Sequence, residues 1–286
     1  MGAVRRWRFP AVVSQRATRC EWPGRRAFAP TLVAALGILL AGCSGGSPAA
    51  DREVGPDAPS VGECRILTAD DIDAATNETP TVPCSTPHTG VTIHVGAFPS
   101  WKITSSNLSS GALGDQALTQ CTAAWRQTVG GDATAQHTTV ANLAYYLPDS
   151  DALAAGARWF RCDLVIGGRD GMQLTDLPAT TEDLLAAPVP DSLRACRTTP
   201  DFVDGRQVAC DHPHVLRAIG VAALPDRADY PGDVALRRAS AQGCSGVVRR
   251  WLHGRVGAGT AFQWPDETAW TLLDDRSATC WAVTVD

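Results

Sequence analysis

Val82-Pro83-Cys84-Ser85-Thr86-Pro87-His88 opens a run that closes at Pro99. Val208-Ala209-Cys210-Asp211-His212-Pro213-His214 opens another of the same length that closes at Pro225. Laid together without gaps, the two share Val82/Val208, Cys84/Cys210, Pro87/Pro213, His88/His214, Ile93/Ile219, Val95/Val221, Ala97/Ala223 and the closing prolines. The other cysteines keep the same order around this core: Cys64, Cys84, Cys121, Cys162 in the first copy and Cys196, Cys210, Cys244, Cys280 in the second. A pattern repeated at this spacing is the signature of a duplicated unit. The chain therefore reads as two tandem modules, 61–166 and 192–286, joined by a polar, Pro-containing linker at 167–191 with one helical turn near Glu182 to Ala186.

Each copy has the same local pattern. After Cys-x-x-Pro-His, Val91, Ile93, Val95 and Ala97 alternate with smaller or polar residues, as in a half-buried strand. Leu113, Ala117, Cys121, Ala124, Trp125 and Val129 then recur at helical steps, as do Leu236, Cys244, Val247, Val248, Trp251 and Leu252. Gly131 and Gly254 stand where these helices should end. Strand-like runs at Leu143–Leu147 and Thr260–Trp264 lead into Pro148-Asp149 and Pro265-Asp266. The last runs, Trp159–Ile166 and Thr279–Val285, carry the fourth cysteine of each copy. The order β–β–β–α–β–β predicts an α+β fold: two small disulfide-bonded modules, each a mainly antiparallel sheet with one packed helix.

The start of the chain reads as an address. Arg5, Arg6, Arg8, Arg16, Arg19, Arg25 and Arg26 precede an apolar run from Ala27 to Ala41, which ends in Leu40-Ala41-Gly42-Cys43. A basic region before about 15 apolar residues is a secretion signal, short of the roughly 20 needed to span a bilayer. Leu-Ala-Gly-Cys resembles a bacterial lipobox, in which the Cys43 thiol takes the lipid. The expectation is a signal peptide at 1–43, a flexible tether at 44–60 and a lipid-anchored protein on the extracytoplasmic face of the cell membrane. Arg25-Arg26 also resembles part of a twin-arginine export signal.

With Cys20 in the signal and Cys43 lipidated, eight cysteines remain in an exported chain, and disulfides are their expected use. Four per module allow three pairings each. Sequential pairing, Cys64–Cys84, Cys121–Cys162, Cys196–Cys210 and Cys244–Cys280, is expected because short loops close easily and each pair ties neighbouring elements. The rival use, zinc at the Cys-x3-His spacings of Cys84/His88 and Cys210/His214, sits badly with an oxidising location. The first 43 residues hold 7 of the 25 basic and 1 of the 30 acidic residues. The remainder has 18 against 29, a net charge of −11. Such an acidic ectodomain argues against nucleic acid, teichoic-type polymers and anionic headgroups as partners.

Val61-Gly62-Glu63 before Cys64, followed by Val82-Pro83-Cys84-Ser85-Thr86-Pro87-His88, resembles the septum formation domain family, exported or membrane-tethered domains of high-GC Gram-positive bacteria. The family's helical cysteine and final cysteine correspond to Cys121 and Cys162, and to Cys244 and Cys280. Its Pro and Trp correspond to Pro265 and Trp270. The likeness runs from Val61 to Val285. Val91 and Arg217 stand where the family often has an acid, and Leu153 stands where the second copy has Trp270. The resemblance implies a part in division-site envelope assembly and names no reaction.

No catalytic motif is present: no Gly-x-Ser-x-Gly, no His-Glu-x-x-His, no P-loop. The Gly254–Gly259 run reads as a loop and Asn107-Leu108-Ser109 as an incidental sequon. His88 and His214, each after a proline (Pro87, Pro213), are the candidate repeat-motif residues, with turn-holding favoured over ligand or proton-carrying roles. His94, His137, His212 and His253 lack a counterpart and read as surface. Asp149/Asp151 and Asp274/Asp275 read as surface turns, and most tryptophans as core. The expectation is a non-enzymatic, cofactor-free envelope binding or scaffold protein with envelope or division proteins as partners. A solute- or glycan-binding lipoprotein is the alternative. A deep inter-module pocket lined by Trp and polar groups favours the binder, a His–carboxylate pair in a cleft favours an enzyme, and a flat apolar patch favours the scaffold.

Overall fold

The structure is a computed structural model and describes residues 54–99, 111–200, 202, 205–253 and 259–284. The signal and lipobox Cys43, residues 44–53 of the tether, Asn107, and residues 254–258 of the glycine run lie outside the described residues.

The first module comprises β1 (Cys64–Arg65), β2 (Thr81–Val82), β3 (Gly90–Ala97), α1 (Ala112–Val129), α2 (Ala133–His137), β4 (Ala141–Tyr146), α3 (Ser150–Ala155) and β5 (Trp159–Ile166). The second comprises β6 (Ala195–Arg197), β7 (Gln207–Ala209), β8 (Leu216–Ala223), α4 (Asp233–Trp251), β9 (Thr260–Gln263), α5 (Glu267–Leu272) and β10 (Ser277–Val283). The two five-stranded sheets have orders β2-β1-β3-β5-β4 and β7-β6-β8-β10-β9, the same topology twice. Every pairing is antiparallel. The α+β, two-module reading is what the structure shows.

The repeat's shared isoleucine has a structural meaning. In β3–β5 the register passes from Thr92↔Asp163 to His94↔Cys162, and in β8–β10 from Gly220↔Cys280 to Ala218↔Trp281. Ile93 and Ile219 are thus the extra residues of a β-bulge at the same place in both sheets. A bulge bends its strand and increases the local twist. The Pro-Asp pairs also share one role. The Asp149 and Asp266 side chains accept from the backbone N–H of Ala152 (2.7 Å) and Ala269 (2.8 Å), capping α3 and α5.

Four disulfides join Cys64–Cys84, Cys121–Cys162, Cys196–Cys210 and Cys244–Cys280, with Cα separations of 5.0–5.3 Å. In each module one bridge ties the first strand to the start of the Pro-His turn, and the other ties the long helix to the last strand.

The modules are fused by a common core. Trp125, Val129, Leu143 and Leu164 of the first pack in one cluster with Leu193, Leu216, Ala218 and Trp281 of the second. Leu118 on α1 meets Ala269 and Leu273 around α5. α2 has no counterpart among the described residues of the second module and packs across onto β8. The segment between the modules takes part in this core through buried Leu177 and Leu185. It is held by Leu177 N–H to the His88 carbonyl, Leu185 N–H to the Val129 carbonyl and an Ile166↔Thr175 bridge. Before the first strand, Val54 is likewise tied, its carbonyl accepting from Arg158 N–H at 2.7 Å.

Candidate functional site

The Pro-His turns come first, because the repeat singles them out. In both copies a backbone bond spans three residues, Thr86 N–H to Pro83 O and His212 N–H to Ala209 O. In both, the histidine Nδ1 then lies 2.8 Å from the carbonyl two residues back, Thr86 for His88 and His212 for His214. A carbonyl only accepts, so Nδ1 carries the proton in each. His88 is buried and Pro87 and Pro213 are exposed. This geometry holds a turn beside a disulfide. We expect His88→Ala to cost about 1–2 kcal/mol by urea denaturation, the value of a buried hydrogen-bonded group. Loss of a binding activity with stability unchanged would contradict the turn-holding role.

The described residues enclose a larger feature elsewhere. A cleft of ≈ 640 Å³ lies between α1, the edge strand β4 and the 72–75 turn, and Leu273 of the second module closes one side. This falls within the few hundred to a thousand Å³ usual for ligand sites. Its walls are chiefly aliphatic: Ile72, Leu113, Leu118, Leu143, Leu147 and Leu273. Most polar side chains around it are engaged by the protein. Asn142 Nδ2 donates to the Val140 and Gly167 carbonyls, Gln136 Nε2 to the Gly130 carbonyl, and Arg169 Nη2 to the Leu143 carbonyl.

Thr122 and Trp125 are different. Both line the cleft, both are nearly inaccessible (2% and 1% exposed), and neither Thr122 Oγ1 nor Trp125 Nε1 has a hydrogen-bond partner. Other buried polar atoms, such as Tyr146 Oη, Trp159 Nε1 and Trp281 Nε1, also lack a partner, and what sets Thr122 and Trp125 apart is that both lie at the cleft, three residues apart on one helix face. An indole N–H and a hydroxyl together present donors to an acceptor group. No repeat cysteine and neither His88 nor His214 lines this cleft.

A second, smaller cleft of ≈ 380 Å³ lies beside the module junction, lined by Ala133, His137, Asp226, Asp274, Asp275 and Arg276 among others. Here two readings of the sequence are corrected. His137, expected at the surface, is 4% exposed, and Asp275, expected in a surface turn, is 3% exposed. His137 Nε2 and Asp275 Oδ1 are 3.8 Å apart. His137 ends α2, which packs on the second sheet, and Asp275 follows the second module's α5, so the pair forms where the modules fuse. Asp274 keeps its turn, with φ 54° and an exposed side chain. Burial, then the Arg126 guanidinium, pushes His137 down to about 4. Burial pushes Asp275 up to about 7, against the opposing pull of Ser277 N–H and of Arg126 and Arg276.

A third polar cluster lies on the face of the first sheet away from α1. Arg65 Nη1 donates to Thr92 Oγ1 (2.9 Å), Thr92 donates to Asp163 (2.8 Å), and Arg161 pairs with Asp163 (3.0 Å) and reaches Asn77. In the second copy Trp281 stands at Asp163's position, and Arg197 turns instead to Asp170. This cluster braces the sheet internally, with Arg65, Thr92, Arg161 and Asp163 all buried. Of the tryptophans expected in the core, Trp125, Trp159, Trp270 and Trp281 are buried, Trp264 is half-buried and Trp251 is 40% exposed. Among the described residues no group of three or more His, Cys, Asp or Glu is placed to hold a metal ion, and no helix is long and apolar enough to cross a membrane.

The family model described as septum formation matches residues 61–283, and the chain belongs to that family. No curated protein and no solved structure matches it.

Proposed function

We propose that this member of the septum formation family is a lipid-anchored, non-enzymatic binding protein of the extracytoplasmic membrane face, with its ligand site in the cleft between α1 and β4. Family membership supports a role in septum formation and the cell envelope. The observation that carries the binding role is the pair of orphan donors, Thr122 Oγ1 and Trp125 Nε1, at an aliphatic cleft to which both modules contribute. These features fit a ligand with an apolar body and one acceptor group, such as a carbonyl. They fit a glycan less well: Trp125 is buried to 1% exposure and offers no open ring face for a sugar. The His137–Asp275 pair supports a joint better than a catalytic dyad, since the ring nitrogen lies beyond hydrogen-bond distance of the carboxylate.

Two measurements test this. A tagged copy should concentrate at the septum of dividing cells, and uniform surface staining would remove the septal part of the reading. Native mass spectrometry of the full chain from its own membrane should find an apolar, acceptor-bearing small molecule bound. Trp125→Phe, which keeps the ring and deletes the donor, should lower its occupancy about tenfold, the value of one charge-free hydrogen bond left unmade. Unchanged occupancy in that variant would move the site elsewhere.

A further inference from the structure

The 19-residue helix α4, about 28 Å long, is the one long helix of the second module among the described residues, and its outward side gathers four arginines. Leu236, Ser240, Cys244 and Val248 are buried against the sheet. The opposite stripe, at three- and four-residue steps, is Val234, Arg238, Gln242, Ser245 and Arg249, all exposed, with exposed Arg237 and Arg250 on the flanks. Several arginines elsewhere are engaged, Arg65 with Glu63, Arg161 with Asp163, Arg197 with Asp170, Arg217 with Asp191 and Arg276 with Asp274, while exposed Arg206 and Arg227 stand singly on loops. The four on α4 face no carboxylate within ion-pair distance among the described residues. The helix's one acid, Asp233, is turned to Tyr230 and Trp264. A net charge of −11 over the residues after Cys43 thus conceals a local concentration of unpaired positive charge.

Apolar exposure meets this stripe at Val234. Of the four large apolar side chains exposed among the described residues, two are on this helix: Val234 at 79% and Trp251 at 40%. They stand near its two ends, and Trp251 continues the buried stripe past the last core contact at Val248. An anionic polymer would answer the arginines but not Val234. An anionic bilayer answers both, with phosphates for the guanidiniums and a headgroup–acyl boundary for Val234, while Trp251 lies on the other side of the helix.

We propose that the exposed face of α4 docks on anionic phospholipid headgroups, laying the second module along the membrane. The surface stands independently of the cleft and of the lipid at Cys43. With that lipid, it would supply the second attachment that makes a singly tethered protein's orientation definite.

The test uses the full chain and 100-nm vesicles, phosphatidylglycerol–phosphatidylcholine against phosphatidylcholine alone. Phenylglyoxal modification of arginines is read residue by residue by mass spectrometry. Anionic vesicles should protect Arg237, Arg238, Arg249 and Arg250 at least fivefold, neutral vesicles should not, and 0.5 M NaCl should abolish the effect. The four-fold Arg→Gln variant, altered only at exposed positions, should keep its melting temperature and lose on the order of a thousandfold in affinity for anionic vesicles, given about one kcal/mol per arginine. Equal modification with and without anionic vesicles, or undiminished binding by the variant, overturns the proposal. So does protection by soluble polyphosphate with none by vesicles, which would assign the face to a polymer.

Discussion

Exchanging Cys121 and Cys162 together for alanine should lower the unfolding free energy by about 4 kcal/mol and the melting temperature by roughly 10 °C. The bridge closes a loop of 41 residues, the longest of the four. In the chain-entropy account the constraint on the unfolded chain grows with the logarithm of that length. Both sulfurs sit at 0% exposure between α1 and β5, so the double exchange also thins the shared core beside Trp125. The Cys64–Cys84 bridge closes 20 residues and has an exposed Cys84, so its removal should cost less, about 3 kcal/mol. Both can be read by calorimetry on the oxidised protein. A loss below about 1 kcal/mol for Cys121/Cys162 would mean that the sheet holds α1 without its covalent tie. The transition should remain single for either variant, because one apolar cluster runs through both modules. Two separated transitions would mean that the modules unfold independently.

That fused core is the part of the fold the sequence concealed. The duplication was plain, because gapless identities carried both the strand and its bulge. Ile93 and Ile219 match in the text and occupy the same irregularity in the two sheets. The Pro-Asp dipeptides read as turns after strands, yet each aspartate caps a short helix, a chemistry that any aspartate before a helix can perform. Periodicity, however, tells which face of an element is apolar and not what covers it. Val129, Leu193 and Leu216 read equally well as the cores of two separate modules. Leu177 and Leu185, eight residues apart in a polar stretch, have no period at all, yet both are buried and tie the connecting segment down.

The candidate cleft was hidden for the same reason. Its aliphatic lining looks like ordinary core in the text, and it becomes a site only when Leu273 arrives from the other copy and two donors on α1 are left without acceptors. His137 and Asp275 were misread because a single polar residue on a short segment carries no burial signal. His137 sits on α2, which packs across onto the second module's β8.

The pairing of these two residues gives the junction an unusual proton balance. In the folded protein between about pH 4 and 6.5, His137 is neutral and Asp275 holds a proton. In the unfolded chain over that range the histidine is charged and the aspartate ionised, again one proton for the pair. Stability depends on pH only through the difference in protons bound, so the pair contributes almost no slope there. Each partner alone would contribute strongly, with opposite sign. A histidine whose folded pKa is depressed destabilises the fold as pH falls below the unfolded value near 6.5. A carboxylic acid whose folded pKa is raised stabilises the fold at low pH, and that contribution is lost as pH rises through about 7. Asp275→Asn, which keeps an acceptor for Ser277 N–H, should therefore uncover the histidine: its stability relative to wild type should fall by about 3 kcal/mol between pH 6.5 and 4. His137→Gln should show the mirror image, losing stability by a similar amount as pH rises from 4 to 7. Arg126 from α1 and Arg276 beside Asp275 face the pair in both variants and stay charged over this range, so the slopes belong to the exchanged groups. Guanidinium denaturation at half-unit pH steps reads both. Profiles for Asp275→Asn and wild type that run parallel from pH 6.5 to 4 would show that the two groups are not linked through a buried junction, and that the modules meet at this point through wetter contacts than the structure has.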